Sequence, residues 1–173
     1  MAITRLNNNS VVSVSSLPSL STSAIVGSNS SNSGAEKSTT SASFTDMFSL
    51  SYTPSSSSNF LLLTAHAVIE GVRTSGDQIK GNQRLTYALS GGSDTQITPN
   101  STGGGVRFYV RYIGGSNNAI GGTWTPSEII DLSSSGINWS SGAITFKLQI
   151  ARTDDGTCYL KPNATLQVIE YKG

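Results

Sequence analysis

One histidine and one cysteine set the limits on chemistry in this 173-residue chain. Any mechanism that needs an imidazole runs through His66, and a Ser-His-Asp arrangement needs that ring beside an exposed nucleophile, oriented by a carboxylate. Serines abound, but no Gly-x-Ser-x-Gly elbow is present to present one. His66 lies inside the apolar run Phe60–Ile69, where alternation puts it on the face of Leu62 and Val68. It reads as a structural histidine in a core or a subunit interface. Cys158, in Gly156-Thr157-Cys158-Tyr159-Leu160, has no second cysteine and only a distant histidine, too few ligands for a tetrahedral zinc site. It reads as a small buried apolar residue on a short strand. Asp154-Asp155-Gly156 brings two carboxylates together, but neighbours on a strand point to opposite faces and suit a glycosidase pair poorly. Asp-Gly between two β-prone runs is first a hairpin turn. Calcium at Asp154 or Asp155 would lack the EF-hand spacing. Gly103-Gly104-Gly105 and Gly114-Gly115 have no Gly-Lys-Ser/Thr ending and read as loops, not phosphate cradles. The expectation is a non-enzymatic chain with no catalytic residues, no metal and no cofactor.

Binding residues are easier to nominate. Arg107, Tyr109 and Arg111 share the strand face opposite Val106, Phe108 and Val110. Arginine flanking an aromatic ring is common at contact surfaces, and equally fits a solvated outer sheet face or a subunit interface. Trp124 and Trp139 stand in loop-rich surroundings, where an indole either stacks on a sugar or covers the end of a sandwich. The net charge is +1 and no long basic run occurs, so the phosphate neutralisation that drives nucleic-acid affinity is missing. No nucleic-acid partner is expected.

The elements that must position these residues are strands. Only 12% of residues are charged, against about 25% in a usual soluble domain, and serine, threonine, asparagine and glycine take their place. From Phe44 onward, short alternating runs separated by Gly/Ser/Asn/Asp turns spell an all-β chain, an antiparallel β-sandwich or jelly roll over residues 44–173. Its expected core includes Phe48, Leu50, Leu62, Val68, Val106, Phe108, Val110, Ile144, Phe146 and Leu148. The one helical candidate is a single turn over Pro126–Leu132, capped by Ser127. Ile113-Gly114-Gly115 and its recurrence at Ile120-Gly121-Gly122 read as loop chemistry. Residues 1–43 contain no Phe, Tyr or Trp and carry charge only at Arg5, Glu36 and Lys37. Such a stretch cannot bury enough apolar surface alone to offset its ordering entropy. Residues 1–26 nevertheless hold β-prone apolar residues, and read as an extended docking arm. Val11, Val12 and Val14 would add a strand to a partner's sheet, while Ile3, Leu6, Leu17 and Leu20 fill its pockets. Residues 27–43 read as a Gly/Ser/Asn linker. No apolar run follows Arg5 as a secretory signal requires, and Phe60–Ile69 is too short to cross a bilayer as a helix, so no membrane insertion is expected.

The opening Met-Ala-Ile-Thr-Arg-Leu-Asn-Asn-Asn-Ser-Val-Val-Ser-Val-Ser-Ser-Leu-Pro resembles the start of small virion proteins of tailed phages, especially those of marine cyanobacteria. Tyr52-Thr53-Pro54, four serines, Asn59 and Phe60-Leu61-Leu62-Leu63 look like a passage of fibre-tip and appendage domains. Ala164–Tyr171 looks like their final strand. The resemblance implies a structural virion protein, assembled in the host cytoplasm and displayed on the virion surface as a capsid decoration or a short tail-associated fibre. Its partners would be other capsid or tail proteins and further copies of itself, most simply as a trimer. Against a long tail fibre, the chain has no repetitive shaft. The alternative is a lectin-like, carbohydrate-binding module for adhesion to a host surface glycan.

Overall fold

The computed structural model describes residues 25–72, 78–98, 106–111, 120–134, 137–153 and 156–173. Of these, the side chains of 78–80, 98, 106–111 and 120–121 lie outside the description, as does the whole of residues 1–24. Twelve strands form in chain order: β1 (Ile25–Ser33), β2 (Lys37–Thr39), β3 (Thr45–Tyr52), β4 (Phe60–Val72), β5 (Gln78–Leu89), β6 (Thr95–Thr98), β7 (Val106–Arg111), β8 (Ile120–Trp124), β9 (Ser127–Asp131), β10 (Ile144–Arg152), β11 (Thr157–Leu160) and β12 (Ala164–Tyr171). All their pairings are antiparallel, and they make a seven-stranded and a five-stranded sheet. The protein is an all-β sandwich, as its alternating runs predict.

β4 organises the larger sheet. Its first half lies between β12 and β9, its second half between β11 and β8. The switches fall at two connections: the Pro126 carbonyl accepts the Ala65 amide at 3.0 Å, and the Lys161 amide reaches the Val68 carbonyl at 2.9 Å. A 13-residue strand thus keeps its backbone groups paired on both edges without one partner of equal length. In the smaller sheet β10 is central, flanked by β3 and β5, with β6 and β7 both on β5. The core lies between the sheets. Phe146, Ile144, Leu148 and Ile150 of β10 meet Leu61, Leu63 and Ile69 of β4 and Leu166 and Val168 of β12, nearly all without solvent exposure.

Three expectations change. Leu62 and Val68 are only half-buried, whereas Leu61, Leu63, Ala65, Ala67 and Ile69 face the core. Both faces of β4 carry large apolar residues, but Thr64, His66 and Glu70 all fall on the Leu62 face. Desolvating three polar groups costs more than exposing two aliphatic ones, so that face turns outward. Residues 25–39, read as the end of an arm and a linker, form β1 and β2. β1 pairs with β12 from Ile25↔Tyr171 to Ser33↔Ala164, and β2 with β11. The sandwich therefore includes residues 25–39, ahead of the expected boundary at 44. Finally, Ser127–Asp131 is a strand and not a helical turn, and Ile120–Trp124 is a strand and not a loop. The long edge of β4 recruits both. The expected core positions Val106, Phe108 and Val110 occupy β7, where only the backbone is described.

Candidate functional site

The reactive side chains are held apart. His66 is exposed on the outer face of β4. Cys158 is wholly buried on the inner face of β11, where burial pushes its thiol up to about 11 against the opposing pull of Arg152. A thiol held protonated is a poor nucleophile and a poor ligand. Asp154 and Asp155 lie outside the described residues. Among the described residues no three of His, Cys, Asp and Glu gather as a metal site would require. Nor is any helix long and apolar enough to cross a membrane.

The nominated binding residues are also dispersed. Trp139 is buried, donating its indole N–H to the Gly142 carbonyl at 3.0 Å, and so covers one end of the core. Trp124, at the end of β8, is half-buried against the same core. Arg107, Tyr109 and Arg111 lie on β7, paired with Asn82, Lys80 and Gln78 of β5; their side chains are outside the description. The arm residues Ile3, Leu6, Val11, Val12, Val14, Leu17 and Leu20 are outside it entirely.

Two features that sequence reasoning passed over are well built. The first is a buried carboxylate. On β12 the inward positions run Ala164, Leu166, Val168 and Glu170, so strand alternation drives a glutamate between the sheets. One Glu170 oxygen accepts the Ser55 amide at 2.9 Å, the Ser55 hydroxyl at 2.8 Å and the Asn59 amide group at 2.6 Å. The other accepts the Tyr52 hydroxyl at 2.7 Å. Burial alone raises a carboxyl pKa, but these bonds from Asn59, Tyr52 and Ser55 outweigh it and hold Glu170 below the usual range. The same contact raises the Tyr52 hydroxyl, through burial and the bond to the carboxylate. Gly27 of β1 lies opposite Glu170, and a methyl group there would overlap the Tyr52 hydroxyl. β1, a serine-rich turn and the last strand thereby meet at one end of the sandwich.

The second feature lies on the outer side of that same end. Pairing aligns Ile25, Tyr171, Phe60 and Asp131 in one row across β1, β12, β4 and β9. Two residues further along β4, Ile169, Leu62 and Ile129 align in a row on the same face. Phe60, Leu62, Ile129 and Tyr171 line an open, almost wholly apolar groove of about 490 Å³. Ile129 is 75% exposed, Phe60 38%, and the adjoining Ile25 and Val26 51% and 45%. Elsewhere, large apolar side chains with described surroundings are buried or half-buried. Contiguous exposed apolar surface on an otherwise polar protein marks a contact site.

A third cluster is structural. On the outer face of the smaller sheet, Lys147 bridges Asp46 at 2.9 Å and Asp94 at 3.0 Å. Gln149 donates to both carboxylates and accepts the Arg84 Nε–H at 2.7 Å. Each of the two acids already has a cation and an amide as partners.

No protein-family model and no curated protein matches this chain. Solved structures with some likeness include chains of infectious bursal disease virus. A chain of the Gx strain virion gives a TM-score of 0.41 at 10% identity, covering 85% of this chain and 38% of the other. The VP2 subviral particle gives 0.46 at 10% identity, covering 83% and 32%. This chain spans about a third of the length of those chains, and a likeness of this degree carries no functional information.

Proposed function

We propose that the protein is a non-enzymatic structural component of a virion, docked on a tailed-phage particle by residues before Ile25 and displaying the sandwich on its surface. The observation that carries this reading is the apolar groove beside Ile25. A sandwich whose surface is otherwise hydroxyl- and amide-rich leaves Phe60, Ile129, Ile25 and Val26 exposed at the one end where the arm joins. Such a surface suits permanent assembly rather than turnover of a small substrate, which calls for polar groups converging on a reacting atom. The resemblance of the arm and of Tyr52–Leu63 to appendage and decoration proteins supplies the virion context. Other capsid or tail proteins and further copies of the chain are its partners, and a trimer is the simplest closed assembly.

Immunogold labelling of purified particles with antibody to residues 44–173 tests this directly. Gold is expected on the particle surface at a regular site. Particles free of the protein by labelling and by mass spectrometry would defeat the proposal. The lectin-like reading keeps Trp124 but loses the buried Trp139 as a stacking platform. Glycan-array binding abolished by Trp124→Ala would establish it.

A further inference from the structure

We infer that the groove formed by Phe60, Leu62, Ile129 and Tyr171 is the seat for the Val11–Leu20 segment of a second copy of this chain, so that copies assemble by exchanging arms. The inference rests on the assembly reading above, names the partner for its apolar surface, and leaves Ile3 and Leu6, ahead of that segment, for contact with the particle. Four observations carry it. The groove is open and apolar, with no charged side chain among its lining residues. Its complement exists in the same sequence: between Arg5 and Glu36 the chain has no charge, and Val11, Val12, Val14, Leu17 and Leu20 are apolar residues within that stretch. The apolar surface is continuous with the root of the arm, because Ile25 pairs with the groove residue Tyr171 and both Ile25 and Val26 are exposed. Twenty-four residues precede Ile25, an extended reach of up to about 80 Å.

The direction of the chain favours exchange between copies. β1 runs antiparallel to β12, so the arm leaves past the end of the sheet marked by Tyr171 and Phe60. The patch from Ile25 on β1 to Ile129 on β9 spans three strand spacings, about 14 Å. An arm rooted at its own Ile25 would have to reverse before crossing it. A neighbouring copy related by rotation presents its arm from the open side, and the exchange then repeats at every copy and closes.

Two measurements on the full-length chain decide the matter. Light scattering at micromolar concentration is expected to give a mass two or more times 18.1 kDa for the wild type, falling to a single chain for Ile129→Asp and for Val12→Asp/Val14→Asp. Ile129 is 75% exposed, so its replacement leaves the fold intact, as an unchanged circular-dichroism melt would verify. Copies bearing Val14→Cys or Leu17→Cys are then co-expressed with tagged copies bearing Ile129→Cys and oxidised, the wild type with buried Cys158 serving as control. A disulfide joining tagged to untagged chains is the expected result. A monomeric wild type, an oligomer that survives both sets of aspartates, or no link between tagged and untagged chains would each overturn the inference. Occupancy on virions is counted separately. A chain that exchanges arms yet is absent from particles would sink the virion reading and leave arm exchange standing.

Discussion

At the scale of single residues, Glu170 is the most consequential side chain in the molecule. It is 1% exposed, charged, and surrounded by four donor groups from the end of β3 and the turn after it, of which three converge on a single oxygen. Because its folded pKa is depressed, it contributes stability that is present above the ordinary glutamate value of 4.5 and lost as pH falls through the folded value. Asp46, whose burial is outweighed by Lys147 and Gln149, and Asp131, held by Ser133, act in the same direction. Glu170→Gln preserves the shape and lets the Tyr52 hydroxyl turn to accept, but removes the charge that strengthens each bond. The expected cost at neutral pH is about 1–2 kcal/mol by urea unfolding, with a shallower decline in stability below pH 4.5 than the wild type shows. An unchanged acid limb in the variant would assign the decline to the aspartates. Part of this was legible in the sequence: the alternation of Ala164, Leu166 and Val168 already directs position 170 inward. Its partners Tyr52, Ser55 and Asn59 lie more than a hundred residues earlier, and no spacing rule links a turn to a strand at that distance. The weakly chemical residues were more readable. A lone histidine and a lone cysteine limit the possible dyads in advance, and the structure puts them on opposite faces of one sheet.

At the scale of elements, legibility followed contrast. β3, β10 and β12 alternate apolar and polar residues with a period of two, and each formed with the expected face inward. β4 is apolar on both faces, so its existence was plain and its orientation was not. The size of Leu62 and Val68 suggested one face, and the polarity of Thr64, His66 and Glu70 decided for the other. Leu63→Ala should therefore cost about 2–5 kcal/mol, as a buried leucine does, whereas Leu62→Ala should cost no more than about 1 kcal/mol. Equal losses in chemical denaturation would mean that the strand faces have been misassigned. β1 and β2 were unreadable for a different reason. Their composition, Ser, Asn, Gly and Lys, is that of a linker, and little in it buries. They are strands because β12 and β11 offer unpaired backbone edges, and because Gly27, Asn29 and Ser33 each fit a specific neighbour. Gly27 leaves room for the Tyr52 hydroxyl; the Asn29 amide group donates to the Ser51 carbonyl at 3.1 Å; the Ser33 carbonyl accepts the Asn163 amide at 2.8 Å. Tertiary context of this kind overrides local propensity, and a single sequence does not display it.

At the scale of the whole molecule, the described body begins with β1 at Ile25, and two deletions separate its role from that of the residues before it. Removing residues 1–24 leaves all twelve strands, the Glu170 knot and the β1–β12 pairing in place. Nothing buried in the described core is lost, so the melting temperature should move by less than about 4 °C, the equivalent of roughly 1 kcal/mol for a chain of this size. Removing residues 1–33 takes β1 as well. That exposes the backbone edge of β12, which otherwise pairs from Ala164 to Tyr171, and strips the Asn29 and Ser33 contacts from the neighbouring strands. Unpaired sheet edges invite pairing with other chains, so this shorter protein should melt at least 10 °C lower, by the same scale of roughly 1 kcal/mol for each 2–4 °C, or aggregate on purification. The contrast also bears on assembly. The first deletion keeps the groove at Phe60 and Ile129 but lacks the segment proposed to fill it, so it should purify as a folded single chain with its apolar patch uncovered. An environment-sensitive hydrophobic dye should bind it more strongly than it binds the full-length protein. Equal dye binding by the full chain and the 1–24 deletion would show that the arm leaves the groove uncovered and that its partner lies elsewhere.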